Sequence, residues 1–284
     1  MTINGDIMAD KMNFEEKNRQ ELLEELKKLN RAQLRVKRRT TFLLSIIAML
    51  VLITSTLAWF TLNQFASVDN IQMNITTGVD LRIDIENHGN DISLYKKTVT
   101  SDMINTWLTS NNYPRMADQL LDPVTSSNGI SFTNQGGASR NANDTSYLEF
   151  KVWFIGTKDM WVHLSSDTAV ELDNGTTSVS TTSTGAQADI VNAIRLSFED
   201  AGSAAIYEPN AGSPVNGQTT FDLPRPMNYS NNTRLFHLNA LTPKQITIRM
   251  WAEGNDPECD NDVQDANIDV DLLFSGTDEN NQSF

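Results

Sequence analysis

From Thr40 to Val68 the chain carries no charged residue. Its apolar heart runs through residues 42–53 and again through 57–62. As a helix, residues 41–62 would extend roughly 33 Å at ~1.5 Å per residue, which matches a ~30 Å hydrocarbon core. Twelve of these residues are Leu, Ile, Val or Phe. Each favours insertion by roughly 0.3–0.6 kcal/mol, so the segment is a transmembrane or signal-anchor helix by several kcal/mol. It divides the chain into a charged helical arm (1–40), a span (41–62) and an outer domain (63–284).

The flanks set the orientation. The full chain has 22 Lys+Arg against 36 Asp+Glu, a net charge of −14. That average combines a basic arm with an acidic remainder: 1–40 holds ten bases and seven acids, net +3, while the other residues net −17. Residues 26–40 carry seven Lys or Arg and no acid, and the first base after the span is Arg82. Positive charge stays in the cytoplasm, so the N-terminus is expected inside and the bulk of the chain outside, in an N-in/C-out single-pass topology. An outer domain this acidic argues against a nucleic-acid partner.

The arm reads as an amphipathic helix. Asn13 caps it, with Glu16 three residues on. Leu22, Leu26, Leu29 and Val36 share one helical face, a seam interrupted by Gln33. Two readings stand: a docking helix for a cytoplasmic helical partner, or a juxtamembrane helix lying on anionic lipid. A second choice concerns Thr56-Leu57-Ala58, which sets small residues at the −3 and −1 positions of a signal-peptidase junction before Trp59. The span is then either retained as an anchor or cut after Ala58 to release a secreted subunit.

Beyond the span, apolar and polar residues alternate with period 2 over 79–86, 148–154, 160–164, 194–198, 246–251 and 268–274, the pattern of half-buried strands. Gly156-Thr157-Lys158-Asp159 separates two of them as a hairpin turn would. A short helix is expected within 101–122. Polar stretches at 173–187, 209–220 and 228–233 read as loops. Without repeated strand–helix alternation, the expected fold is mainly β: an antiparallel β-sandwich of two sheets packed face to face.

Signals for catalysis are weak, and no enzyme activity is expected. His-Glu-x-x-His and Gly-x-Ser-x-Gly are absent, and His88, His163 and His237 lie far apart. The single cysteine, Cys259, cannot form an internal disulfide, and the neighbouring Glu258 and Asp260 disfavour its thiolate. The acidic tract 253–262 is either a solvated turn or a weak calcium loop through Asp256, Asp260 and Asp262. Its spacing is not that of an EF-hand. No other cofactor is expected. Six Asn-x-Ser/Thr sites, at Asn74, Asn143, Asn174, Asn228, Asn231 and Asn281, would be modified only in a host with that machinery.

Ser55-Thr56-Leu57-Ala58-Trp59-Phe60-Thr61, followed by Val68 to Asp84, resembles the start of TasA/camelysin-like surface proteins of Gram-positive bacteria. Residues 121–129 and 246–259 are similar to stretches of related clostridial envelope proteins. The resemblance covers roughly 50–275 through scattered motifs. It implies a jelly-roll-like sandwich, processing by a dedicated signal peptidase, and homo-oligomeric fibres in which each subunit donates an N-terminal strand, here about Trp59 to Thr77. The charged arm departs from typical fibre precursors. Camelysin-type members are labelled metallopeptidases, but this chain shows none of the recognised zinc motifs.

These readings combine into a non-catalytic envelope protein, structural or adhesive. A membrane-tethered sensory or binding subunit is the alternative, and a surface peptidase ranks third.

Overall fold

The computed structural model describes residues 66–76, 80–166, 176–209, 215 and 217–284, and, between 23 and 49, all but 25, 29, 30, 32, 34–36 and 48. The chain separates into two compact units, Met1–Leu62 and Asn63–Phe284.

In the first unit residues 37–47 are helical, and the helix runs unbroken from the basic cluster into the apolar segment. Among the described residues no helix is long and apolar enough to cross a membrane. Residues 50–62 of the expected span lie outside them.

The second unit is mainly β. Six strands make its first sheet: β1 (Ala66–Ile75), β3 (Thr98–Val99), β8 (Met160–Leu164), β9 (Ser178–Ser180), β13 (Arg234–Leu238) and β15 (Ala266–Thr277). Their order is β13–β8–β15–β1–β3, with β9 also paired to β15. The second sheet comprises β2 (Leu81–Asp84), β7 (Leu148–Gly156), β10 (Ile194–Asp200), β11 (Ser203–Tyr207), β12 (Thr220–Phe221) and β14 (Lys244–Ala252). It is ordered β12–β11–β10–β14–β7–β2. A small third sheet is made of β4 (Val124–Thr125), β5 (Phe132–Asn134) and β6 (Ser139–Arg140).

All six alternating segments form strands, because alternation puts one side of each into a shared core. From the second sheet come Leu148, Phe150, Val152 and Phe154, with Ile194, Leu196 and Phe198. From the first come Ile268, Val270, Leu272 and Phe274. Aromatic rings close the layer between the sheets: Phe154 lies 4.9 Å from Phe236 and 5.0 Å from Phe274, and Phe198 lies 6.0 Å from Phe274. Edge-to-face contacts of this kind add to the area effect. The helix expected within 101–122 is α1 (Ser101–Ser110), which buries Ile104 and Leu108.

Three features differ from expectation. First, the sheets are not wholly antiparallel. β1 and β15, the first and last strands of the unit, run parallel over nine paired positions from Ala66–Ala266 to Ile75–Phe274. The parallel pair needs no dedicated crossover, since the rest of the domain is its connection. Second, β1 escaped the period-2 reading because a bulge between Val68 and Asn70 resets its phase. Val68 and Ile71 are three apart, yet both are buried. Third, Gly156–Asp159 is not a hairpin. β7 belongs to the second sheet and β8 to the first, so the chain changes sheets at this turn. The turn bonds to other elements rather than across itself: Thr157 N donates to Asp80 O, and Leu241 N to Gly156 O.

The outer side of the second sheet is also covered. Trp251, Phe132, Tyr147, Val124, Ala142 and Ile206 form a second cluster beneath the small third sheet. Phe132 stacks on Tyr147 at 4.1 Å and meets Trp251 edge-on at 5.1 Å.

Candidate functional site: the first strand, the acidic loop and the arm helix

The junction residues Thr56, Ala58 and Trp59 lie outside the described residues. The first described element beyond them is β1. One edge of β1 is satisfied by β15 along its length. The opposite edge is held piecemeal. β3 pairs only with Met73 and Asn74. Ala66 N donates to Leu120 O at 3.1 Å. At the bulge the Ser101 hydroxyl takes the place of a strand, accepting from Ile71 N at 3.0 Å and donating to Ile71 O at 2.9 Å. It also meets Asn70 Oδ1 at 2.5 Å. Nothing in the sequence marks Ser101 as a strand partner, because only the bulge brings it there.

The acidic tract is divided between core and surface. Asp256 is buried, and its Oδ2 accepts from Arg195 Nη2 at 2.5 Å. The same guanidinium nitrogen pairs with Glu208 Oε1 at 2.6 Å. Arg195 is itself fully buried on the outward side of β10. Two carboxylates thus share one guanidinium nitrogen where an isolated charge would cost several kcal/mol, while Arg195 Nε is buried without a hydrogen-bond partner among the described residues. Glu253 is fully buried too. Its Oε2 accepts from Trp251 Nε1 at 3.1 Å and Gln218 Nε2 at 2.6 Å. Asp260 and Asp262 are exposed, and the Asp260 carboxylate accepts from Asp262 N at 2.8 Å to cap a short turn. The structure does not bring Asp256, Asp260 and Asp262 together. Among the described residues no group of three or more His, Cys, Asp or Glu could hold a metal ion. Arg195 was the residue missed in the sequence. Arg195 stands in the polar phase of its strand's alternation, where a solvated side chain is the ordinary outcome, so nothing local marks it as buried.

Burial pushes the Cys259 thiol up to about 12, with Asp256 and Glu253 adding to the shift. At neutral pH it is a buried thiol and not a nucleophile. Glu258 is also raised, chiefly through its hydrogen bond with Asp256. Each histidine has its own setting. His88 Nε2 lies 3.3 Å from Asp84. His237 meets the Trp161 ring edge-on at 4.9 Å. His163 is fully buried, its Nδ1 3.0 Å from Thr233 Oγ1 and its Nε2 3.0 Å from Thr277 Oγ1. Burial pulls its pKa down to about 4.

The arm helix has a different character. Lys37, Arg38 and Arg39 are exposed. Immediately after them Phe42, Leu43, Leu44, Ile46, Ile47 and Met49 are all at least 41% exposed. At 100° per residue these six positions span about 220° of the helix, and Thr41 and Ser45 stand in the remaining sector. The polar side chains among them turn inward: Thr41 Oγ1 donates to Lys37 O at 2.9 Å and Ser45 Oγ to Thr41 O at 3.0 Å.

Compared with known protein families, characterised proteins and solved structures, the chain matches none.

Proposed function

We propose that this chain is a non-catalytic cell-envelope protein, structural or adhesive, held by one N-in/C-out helix and presenting its β unit outside the membrane. The observation that carries the reading is the arm helix. A helix in water keeps one polar face. This one shows six large exposed hydrophobic side chains over about 220° of its circumference within eight residues, following three exposed cations. An exposed apolar surface wider than half the circumference fits a lipid surrounding, and in the remaining sector Thr41 and Ser45 satisfy their hydroxyls internally, as a helix in lipid requires.

The outer unit supports an extension of the proposal, in which its sheets form a jelly-roll-like sandwich and subunits join into surface fibres through the strand after the junction. β1 stands first in the unit and has a full ladder on one edge only. A strand so held can be supplied by another copy, since main-chain bonds and alternating side chains are all that strand addition requires. N-terminal sequencing of the envelope-associated protein, combined with alkaline extraction of membranes, tests both parts. An intact arm in the alkali-resistant fraction supports the anchored form, and a start at Trp59 in filaments supports fibre assembly. An intact chain that alkali fully extracts would overturn the proposal.

A further inference from the structure

Four tryptophans lie among the described residues, and three of them have a partner. Trp251 donates to Glu253, Trp161 donates to Glu279 under the Arg234 guanidinium, and Trp107 stacks on Tyr113. Among the described residues the Trp153 indole makes no hydrogen bond, ring stack or cation contact. It stands on β7 between Val152 and Phe154, which face the core, so its own side chain takes the outer side of the second sheet. Strand register sets its neighbours. Gln245 lies directly opposite on β14, and Thr247 lies opposite Lys151. On the other flank β2 brings Arg82 opposite Ile155, so Lys151 and Arg82 stand on either side of Trp153 along the strands. Gln245 is exposed, and Trp153, Lys151, Thr247 and Arg82 are half-buried. The side chains of Lys151, Gln245 and Thr247 have no partner among the described residues. The carboxylates in register with the patch are already engaged. Asp84 is buried with His88 and Lys96 at 3.3 and 3.4 Å, and Glu199 accepts from Arg249 at 2.7 Å.

We infer that this patch is a binding platform for a polysaccharide that carries carboxylates at intervals along its chain. A pyranose ring has a face of C–H groups and a rim of hydroxyls. The Trp153 ring takes the face, Gln245 and Thr247 take rim hydroxyls, and Lys151 takes the carboxylate. Opposite positions stand about 5 Å apart and alternate positions along a strand about 7 Å, so the platform is about one sugar ring wide. A flat sheet surface suits a chain lying across it, whereas a small molecule needs an enclosing cleft. Charge complementarity selects an acidic sugar: two cations without a carboxylate partner flank the indole, in a chain whose residues beyond the arm net −17. That same excess of acid disfavours a nucleic acid, which carries a phosphate at every residue and needs many cations to neutralise it. The inference deepens the adhesive side of the reading above by naming what the outer unit adheres to.

The test uses the full chain in a polyoxyethylene detergent, which has no sugar headgroup. Isothermal titration calorimetry measures its affinity for a hexasaccharide of alternating glucuronate and N-acetylglucosamine and for the carboxyl-reduced form of the same hexasaccharide. One charge-assisted contact corresponds to a preference of about tenfold for the acidic form. K151Q should abolish that preference and leave the reduced form bound as before, while K97Q, at an exposed cation outside the patch, should change neither affinity. W153A should weaken both by roughly thirtyfold, as loss of an aromatic anchor does, and W153F, which keeps an aromatic face, should lose less. Should W153A fail to fold, K151Q decides alone, because it alters only a half-buried polar side chain. No binding of either sugar, equal affinity for the two forms, an equal loss in K97Q, or tighter binding of octathymidylate than of the acidic hexasaccharide would each overturn the platform. A chain that alkali extracts from membranes yet shows these affinities sinks the anchor and leaves the platform standing. An alkali-resistant chain with no affinity for the hexasaccharide sinks the platform alone.

Discussion

His163 makes the outer unit sensitive to acid, and the size of the effect is set by its surroundings. Both ring nitrogens face threonine hydroxyls rather than carboxylates. The Thr233 hydroxyl is already engaged with Ser230, donating to its carbonyl and accepting from its N–H, both within 3.1 Å. A protonated ring would be a buried cation, and Arg234 adds like charge. The group therefore titrates at about 4 in the fold and about 6.5 in the unfolded chain. Between those values the unfolded state binds more protons, so stability falls with falling pH. The contribution is complete above the unfolded value and disappears as pH drops toward 4. From pH 7 to pH 4.5 the linkage amounts to about 2.4 kcal/mol. His163→Gln keeps a donor and an acceptor toward the two threonines and removes the titration. Thermal unfolding followed by near-ultraviolet circular dichroism at the two pH values reads the difference. The native chain should lose roughly 5–10 °C more in Tm than the variant, at 2–4 °C per kcal/mol for a unit of this size. The buried carboxylates titrate in both proteins and cancel. Equal losses of Tm would refute the assignment of a depressed, desolvated histidine.

Three further outcomes are expected. Arg195→Ala leaves Asp256 and Glu208 buried without their cation and should cost about 3–5 kcal/mol in urea unfolding at pH 7. Gly129→Ala should destabilise by about 1–3 kcal/mol or more, because Gly129 has φ +68° and an added Cβ would stand 2.7 Å from Ser197 Cβ; a neutral effect in the same assay would contradict the turn geometry. Cys259 should react with iodoacetamide at neutral pH only after denaturation, its thiol being buried and raised to about 12; mass spectrometry of the folded chain would reveal any faster alkylation.

Half-buried strands were legible because one physical requirement, an apolar side against a core, writes itself into alternate residues. All six segments with clean alternation became strands. Period 2 alone misses β1 because its bulge shifts the phase between Val68 and Ile71. β13 hides for a related reason, since an irregularity between Arg234 and Phe236 leaves Leu235 and Phe236 both buried. Pairing partners are a separate matter. Nothing local in Gly156–Asp159 tells a hairpin from a change of sheet; that depends on which strands, distant in sequence, receive the backbone groups on either side. The acidic tract looked uniform as a string of letters, yet its members divide between core and solvent. What separates Asp256 from Asp260 is Arg195, which lies sixty-one residues away.

The parallel pairing of β1 with β15 has a mechanical consequence. Tension applied between the start of the first strand and the end of the last pulls the two neighbours in opposite directions along their length. Such a load shears the ladder and does not unzip it. The hydrogen bonds at the nine paired positions must then yield together rather than one after another. An antiparallel arrangement of the same two strands would place both pulling points at one end and open like a zip. For a domain drawn outward from a fixed base, the sheet resists along its stiffest direction.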